Sequence, residues 1–102
     1  MTEKVERGII RLVLDCLKPH KPLLPDLALK ISELPGVSGV NISLIEIDAK
    51  TESIKITIEG TNLNYELIRD TLKKYGTVIH SIDQVVAGSV MVEEVTIKAE
   101  EE

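Results

Sequence analysis

Residues 53–59 read Ser-Ile-Lys-Ile-Thr-Ile-Glu, an unbroken alternation with Ile54, Ile56 and Ile58 on one side and Lys55, Thr57 and Glu59 on the other. A period of two is the geometry of a strand, so the segment predicts one apolar and one wet face. Upstream, residues 37–48 predict a second strand with Val40, Ile42 and Leu44 turned inward, and the polar run 49–52 folds the two into a hairpin. Ile45 and Ile47 then fall out of phase with Leu44, which predicts a bulge or a two-sided edge.

The rest of the chain supplies what this hairpin must pack against. Residues 8–17 predict a central strand with Ile10, Leu12, Leu14 and Cys16 on one face and Arg11, Val13 and Asp15 on the other. Pro19, Pro22 and Pro25 then keep regular helix out of the connection, while Pro25 suits the first turn of the helix that follows. That helix starts near Leu24, carries the stripe Leu24, Leu27, Ala28, Ile31 and Leu34, and ends at Pro35-Gly36. After the hairpin, Gly60-Thr61-Asn62 leads into a second helix capped by Asn62 or Asn64, with Leu63, Leu67, Ile68, Leu72 and Tyr75 as its stripe and Gly76 as terminator. A fourth strand covers about residues 77–86. This order predicts an α+β fold, a ferredoxin-like βαββαβ sandwich: a four-stranded antiparallel sheet, two helices on one face and a short C-terminal extension. The expected layout is one domain over residues 1–102, with an ordered core at about 7–87 and a tail at 88–102.

Composition excludes several functions. A net charge of −5, a pI of about 5.0 and only three arginines argue against nucleic-acid binding, which needs clustered cations on phosphates. Phe and Trp are absent, so no aromatic platform for stacked bases is expected. No apolar run approaches the roughly 20 residues of a membrane span. The lone Cys16 has no partner in the chain, and the polar start at residues 1–7 does not resemble a leader, so a soluble cytoplasmic protein is expected.

Helices on one face leave the other to solvent, ligand or partner, and Arg11, Val13, Asp15, Asn41, Ser43, Ile45, Lys55, Thr57 and Glu59 occupy it. The second and fourth strands form the edges, neither bearing a proline; the alternating tail Val90, Val92, Val95 and Ile97 is suited to covering an edge of its own or of a neighbouring subunit. Pairing with a neighbour builds a homo-oligomer, and repeated head-to-tail pairing closes into a ring if the rotation permits.

The densest set of hard ligands is Asp15, Glu46, Asp48, His80 and Asp83, all in or at the ends of predicted strands. Glu46 and Asp48, two apart, suit a divalent cation such as Ca²⁺ or Mg²⁺, the ordinary alternative being strand-end charges in salt bridges. His80 and Asp83, three apart, cannot share a face of a regular strand. His80 beside Ser81 and Asp83 suits a proton shuttle, although most such histidines only hydrogen-bond at a strand. Zinc lacks ligands, with only Cys16, His20 and His80 to offer. Cys16 followed by His20 has the composition of a thiol and its base, yet Cys16 alternates with core leucines and is expected to be structural. No phosphate loop, nucleophile triad or dinucleotide fingerprint is present.

The segments LDCLKPHKP, LPGVSGVNISLIEID, KITIEG and IHSIDQVVAG together resemble a small archaeal family known as domain-of-unknown-function family 211, across nearly the whole chain. The resemblance implies a ferredoxin-like fold, an oligomeric assembly and divalent-cation binding, with acidic positions at Asp15, Glu46, Asp48 and Asp83 and histidine segments at His20 and His80. Two functions follow as expectations. One is a non-enzymatic homo-oligomer binding a divalent cation or small ligand in a regulatory role. The other is a small metal-assisted or acid–base enzyme using the strand carboxylates and His80.

Overall fold

A computed structural model describes residues 8–97; residues 1–7 of the polar start and residues 98–102 of the tail lie outside the described part. Its elements are β1 (Ile9–Pro19), α1 (Leu24–Ser32), β2 (Val37–Ile47), β3 (Thr51–Leu63), α2 (Tyr65–Lys74) and β4 (Val78–Ala87). The four strands form one antiparallel sheet in the order β2-β3-β1-β4, so β2 and β4 are the edges and the arrangement is ferredoxin-like α+β.

The core is the inner face of the two central strands closed by the helices. Leu12, Leu14 and Cys16 of β1 and Ile54, Ile56 and Ile58 of β3 are buried against Leu27 and Ile31 of α1 and Ile68 and Leu72 of α2. Each fully buried aliphatic side chain contributes about 1.5–3 kcal/mol relative to exposure, which makes this layer the main source of stability. Helix α1 begins with Pro25 in its first turn and has no side-chain cap, so its docking rests on the Leu27–Ile31 stripe. Helix α2 is capped by Asn64, whose side-chain oxygen accepts from the Leu67 N–H at 3.0 Å; Asn62, the other candidate, is not the cap.

Two boundaries differ from expectation. Strand β3 does not stop near Glu59 but continues to Leu63, which pairs with Ile9. Gly60 permits this extension: a Cβ there would collide with the Gly36 carbonyl oxygen, and the same oxygen accepts from Thr61 N–H at 2.9 Å. Strand β1 runs two residues past Leu17, which carries Lys18 onto the inner face behind Cys16. The phase break in β2 is a bulge, with the register shifting between Leu44 and Glu46.

Candidate functional site

The helix-free face is organised as rows of side chains running across the sheet, because directly paired residues in antiparallel strands share a face. One row is Asn41, Thr57, Val13 and Gln84; the next is Ser43, Lys55, Asp15 and Ser81. Arg11 occupies a third row and is the hub of its end of the face. Its guanidinium donates to Glu59 Oε2 at 2.9 Å, to Gln84 Oε1 at 3.1 Å and to Glu93 Oε1 at 2.8 Å. Glu93 first and Glu59 second hold the Arg11 pKa above its ordinary value, and Arg11 in turn holds the Glu93 carboxyl below its own. Residues 89–97 thus touch the open face through a charged contact, not as a strand of the sheet.

Along the row of Asp15, Lys55 reaches across β1 to Asp83 Oδ2 at 3.5 Å, and Ser81 donates to Asp83 Oδ1 at 2.7 Å. The position of Asp83 comes from an irregularity. Val13 pairs with Gln84 but Leu14 with Ile82, so Asp83 is the extra residue of a bulge; Asp15 pairs with Ser81 but Cys16 with Ile79, so His80 is the extra residue of a second. Bulges re-aim side chains and are common beside functional sites. The objection that His80 and Asp83 cannot share a face therefore assumes a regular strand that β4 is not.

Asp15 and His80 line one cavity of about 330 Å³ with Cys16, Leu17 and Ser53. Glu46 and Asp48 stand apart from it. Glu46 is exposed past the β2 bulge, opposite Ser53. Asp48 falls in the turn beyond β2, its N–H donating to Thr51 O at 2.8 Å, so strand alternation does not extend to it. Among the described residues no three of His, Cys, Asp and Glu converge as an ion cage. The five candidates thus fall in two regions, Asp15, His80 and Asp83 on β1 and β4, where Asp15 and His80 share a cavity and Asp83 pairs with Lys55 and Ser81, and Glu46 and Asp48 at the tip of the β2–β3 hairpin. Cys16 is buried, and that burial, with Asp15 and Asp83 adding to it, pushes its thiol up to about 12. It is a core residue and a poor nucleophile.

The most connected polar cluster was not anticipated. Lys18 is buried at the inner end of β1, and its ammonium donates to the carbonyls of Pro19 at 2.8 Å, Pro22 at 2.6 Å and His20 at 3.4 Å, and to Glu52 Oε1 at 2.9 Å. Three donors and a charge are satisfied in one place, which a lysine away from water requires. His20 extends the cluster with Nδ1 3.1 Å from Glu52 Oε2 and Nε2 2.9 Å from Ala49 O. Both ring nitrogens face acceptors, so the imidazolium alone satisfies both. The Ala49 carbonyl first and Glu52 second raise the His20 pKa, and His20 with Lys18 lowers that of Glu52. This cluster ties the β1–α1 connection to the β2–β3 turn. Its one trace in the sequence is Lys18 falling in phase with Leu12, Leu14 and Cys16.

These features define a small α+β domain of ferredoxin-like topology with a polar, bulged open face. The chain belongs to domain-of-unknown-function family 211, described as an uncharacterized ArCR family, whose model matches residues 10–101. It is 52% identical over 88 residues to the uncharacterized protein MJ0319 of Methanocaldococcus jannaschii, an alignment covering 86% of this chain and 91% of that relative. Among the described residues no helix is long and apolar enough to cross a membrane.

Proposed function

We propose that this protein is a non-enzymatic, cytoplasmic homo-oligomer in which the C-terminal segment of each subunit lies along the β2 edge of the next, with a divalent cation or small ligand held at the junction in a regulatory role. The observation that carries this reading is the segment after β4. Val90, Val92, Val95 and Ile97 are 66–87% exposed and joined to no strand of their own sheet, while the β2 edge exposes Leu44, Ile45 and Ile47. An apolar alternating segment and an open edge are complementary parts of strand addition. Each subunit gives its segment to one neighbour and accepts one from another, a head-to-tail contact that closes into a ring where the rotation between subunits permits.

The cation belongs at the same edge. Glu46 and Asp48 lie at the end of β2, and a docked segment brings Glu94 as a further carboxylate; oxygen ligands and crowded negative charge favour Ca²⁺ or Mg²⁺. Native mass spectra of the full chain with and without EDTA, beside a chain truncated after Gly88, test this. The expected result is one large oligomer with chelator-sensitive mass, and a monomer on truncation. A full-length monomer at micromolar concentration overturns the assembly; an oligomer without bound metal removes the cation.

The second reading, a small metal-assisted or acid–base enzyme, is favoured by the cavity in which Asp15 meets His80. Its test is turnover of p-nitrophenyl phosphate and acetate with Mg²⁺ present. Activity lost in both Asp15→Asn and His80→Gln supports it, and activity surviving both belongs to a contaminant.

A further inference from the structure

A separate cavity of about 270 Å³ opens on the helix side of the sheet, between α2 and β4. Its walls are Tyr65, Arg69 and Lys73, which follow one another at four-residue spacing down one face of α2, Thr77 just before β4, and Val78 and Ile79 at its start. The Arg69 guanidinium carbon lies 6.0 Å from the centroid of the Tyr65 ring, so cation and ring lie side by side. Among the described residues the only acidic group paired with either cation is Asp70, 3.2 Å from Arg69 Nε and well exposed.

Cations in the last turn of a helix also complement its dipole, which accounts for Lys73 but not for the cavity beside it. Thr77 is 1% exposed, and its hydroxyl has no hydrogen-bond partner among the described residues. Buried hydroxyls in native proteins are nearly always paired. That hydroxyl has no accessible surface and lies behind the cavity wall; two cations at the rim and an aliphatic floor match a ligand with one anionic end and an apolar body.

We propose that this cavity binds a small organic carboxylate, its carboxylate held by Arg69 and Lys73 and its apolar part on Val78, Ile79 and the Tyr65 ring. Arginine and lysine supply charge-assisted hydrogen bonds, and the volume is near the lower bound of ligand pockets, about 300 Å³, so the ligand is small. Neither the oligomer nor the cation enters this assignment.

Sodium benzoate is a suitable probe, titrated to about 10 mM, a range that captures weak ligands, while the backbone amides are followed by nuclear magnetic resonance; benzamide is the uncharged control. The expected result is a saturable shift confined to residues 65–79, absent with benzamide. The double charge reversal of Arg69→Glu and Lys73→Glu, both at solvent-exposed positions, weakens binding roughly tenfold or more, as loss of charged hydrogen bonds does. Equal response to benzamide, no saturable shift, or undiminished affinity in the folded charge-reversed variant overturns the proposal.

Discussion

Strands β3 and β4 flank β1 on opposite sides and obey different rules. Against β3 the register is unbroken from Arg11 opposite Glu59 to Pro19 opposite Thr51. Against β4 it slips twice in the same stretch, at Asp83 and at His80. The cause lies in what each strand buries. Ile54, Ile56 and Ile58 are fully enclosed, and a slip of one residue would turn all three to water. On β4 only Val86 is buried, while Val78, Ile82 and Val85 are about half exposed or more. An edge with little to lose from a slip can accommodate inserted residues, and here the inserted residues are the polar Asp83 and His80.

The largest test of this contrast is a pair of truncations. Ile56→Ala is expected to cost about 2–5 kcal/mol in urea unfolding, the range for a fully buried aliphatic. Ile82→Ala, at 47% exposure, is expected to cost about 1 kcal/mol or less, since exposed positions contribute little. Equal losses would mean that β4 is held as tightly as β3, and the contrast would fail.

The next effect sharpens the comparison at the β3 end. Glu52 opens β3 and joins Lys18 and His20, so Glu52→Gln leaves a buried ammonium with carbonyls alone and is expected to lower Tm about as much as a core truncation. The cluster also sets a pH window. The His20 pKa is raised, so its contribution is full below the ordinary value of 6.5 and is lost as pH rises through the raised value. The Glu52 pKa is lowered, so its contribution is full above the ordinary 4.5 and is lost as pH falls through the lowered value. Stability from this cluster is therefore greatest between these limits, and His20→Gln is expected to flatten the alkaline decline. An unchanged alkaline limb in that variant would assign the decline to another group.

The smallest effect is at the β4 bulge. Lys55→Ala removes the 3.5 Å pair with Asp83, both partners being partly solvated, and is expected to change stability by less than about 1 kcal/mol. A larger loss would show that the pair holds the bulge in place, and amide shifts at Ser81–Asp83 would report it.

Much of this architecture was legible in the residues. The alternation at residues 53–59, the prolines before α1 and the phase break at Ile45 located the central strands, the first helix and the β2 bulge, because each is a local consequence of backbone geometry. The candidate site was legible only in part. Asp15, His80 and Asp83 were identifiable as polar strand residues, but the placement of His80 and Asp83 depends on two bulges for which β4 carries no glycine or proline signal. Lys18 was passed over because a lysine reads as solvent-exposed unless partners are known, and its partners Glu52, Pro19, His20 and Pro22 meet only after β3 pairs with β1.

The sequence by itself determined which residues alternate, where helices start and stop, and that a βαββαβ order results, since these follow from periods of two and 3.6 and from backbone restrictions acting over a few residues. Tertiary structure alone decided the β3 extension past Gly60, the bulged placement of His80 and Asp83, the closing of acceptors around Lys18 and the cavity beside Thr77. Each of these needs two distant segments at once, and the free energy that selects them exists only when both are in place.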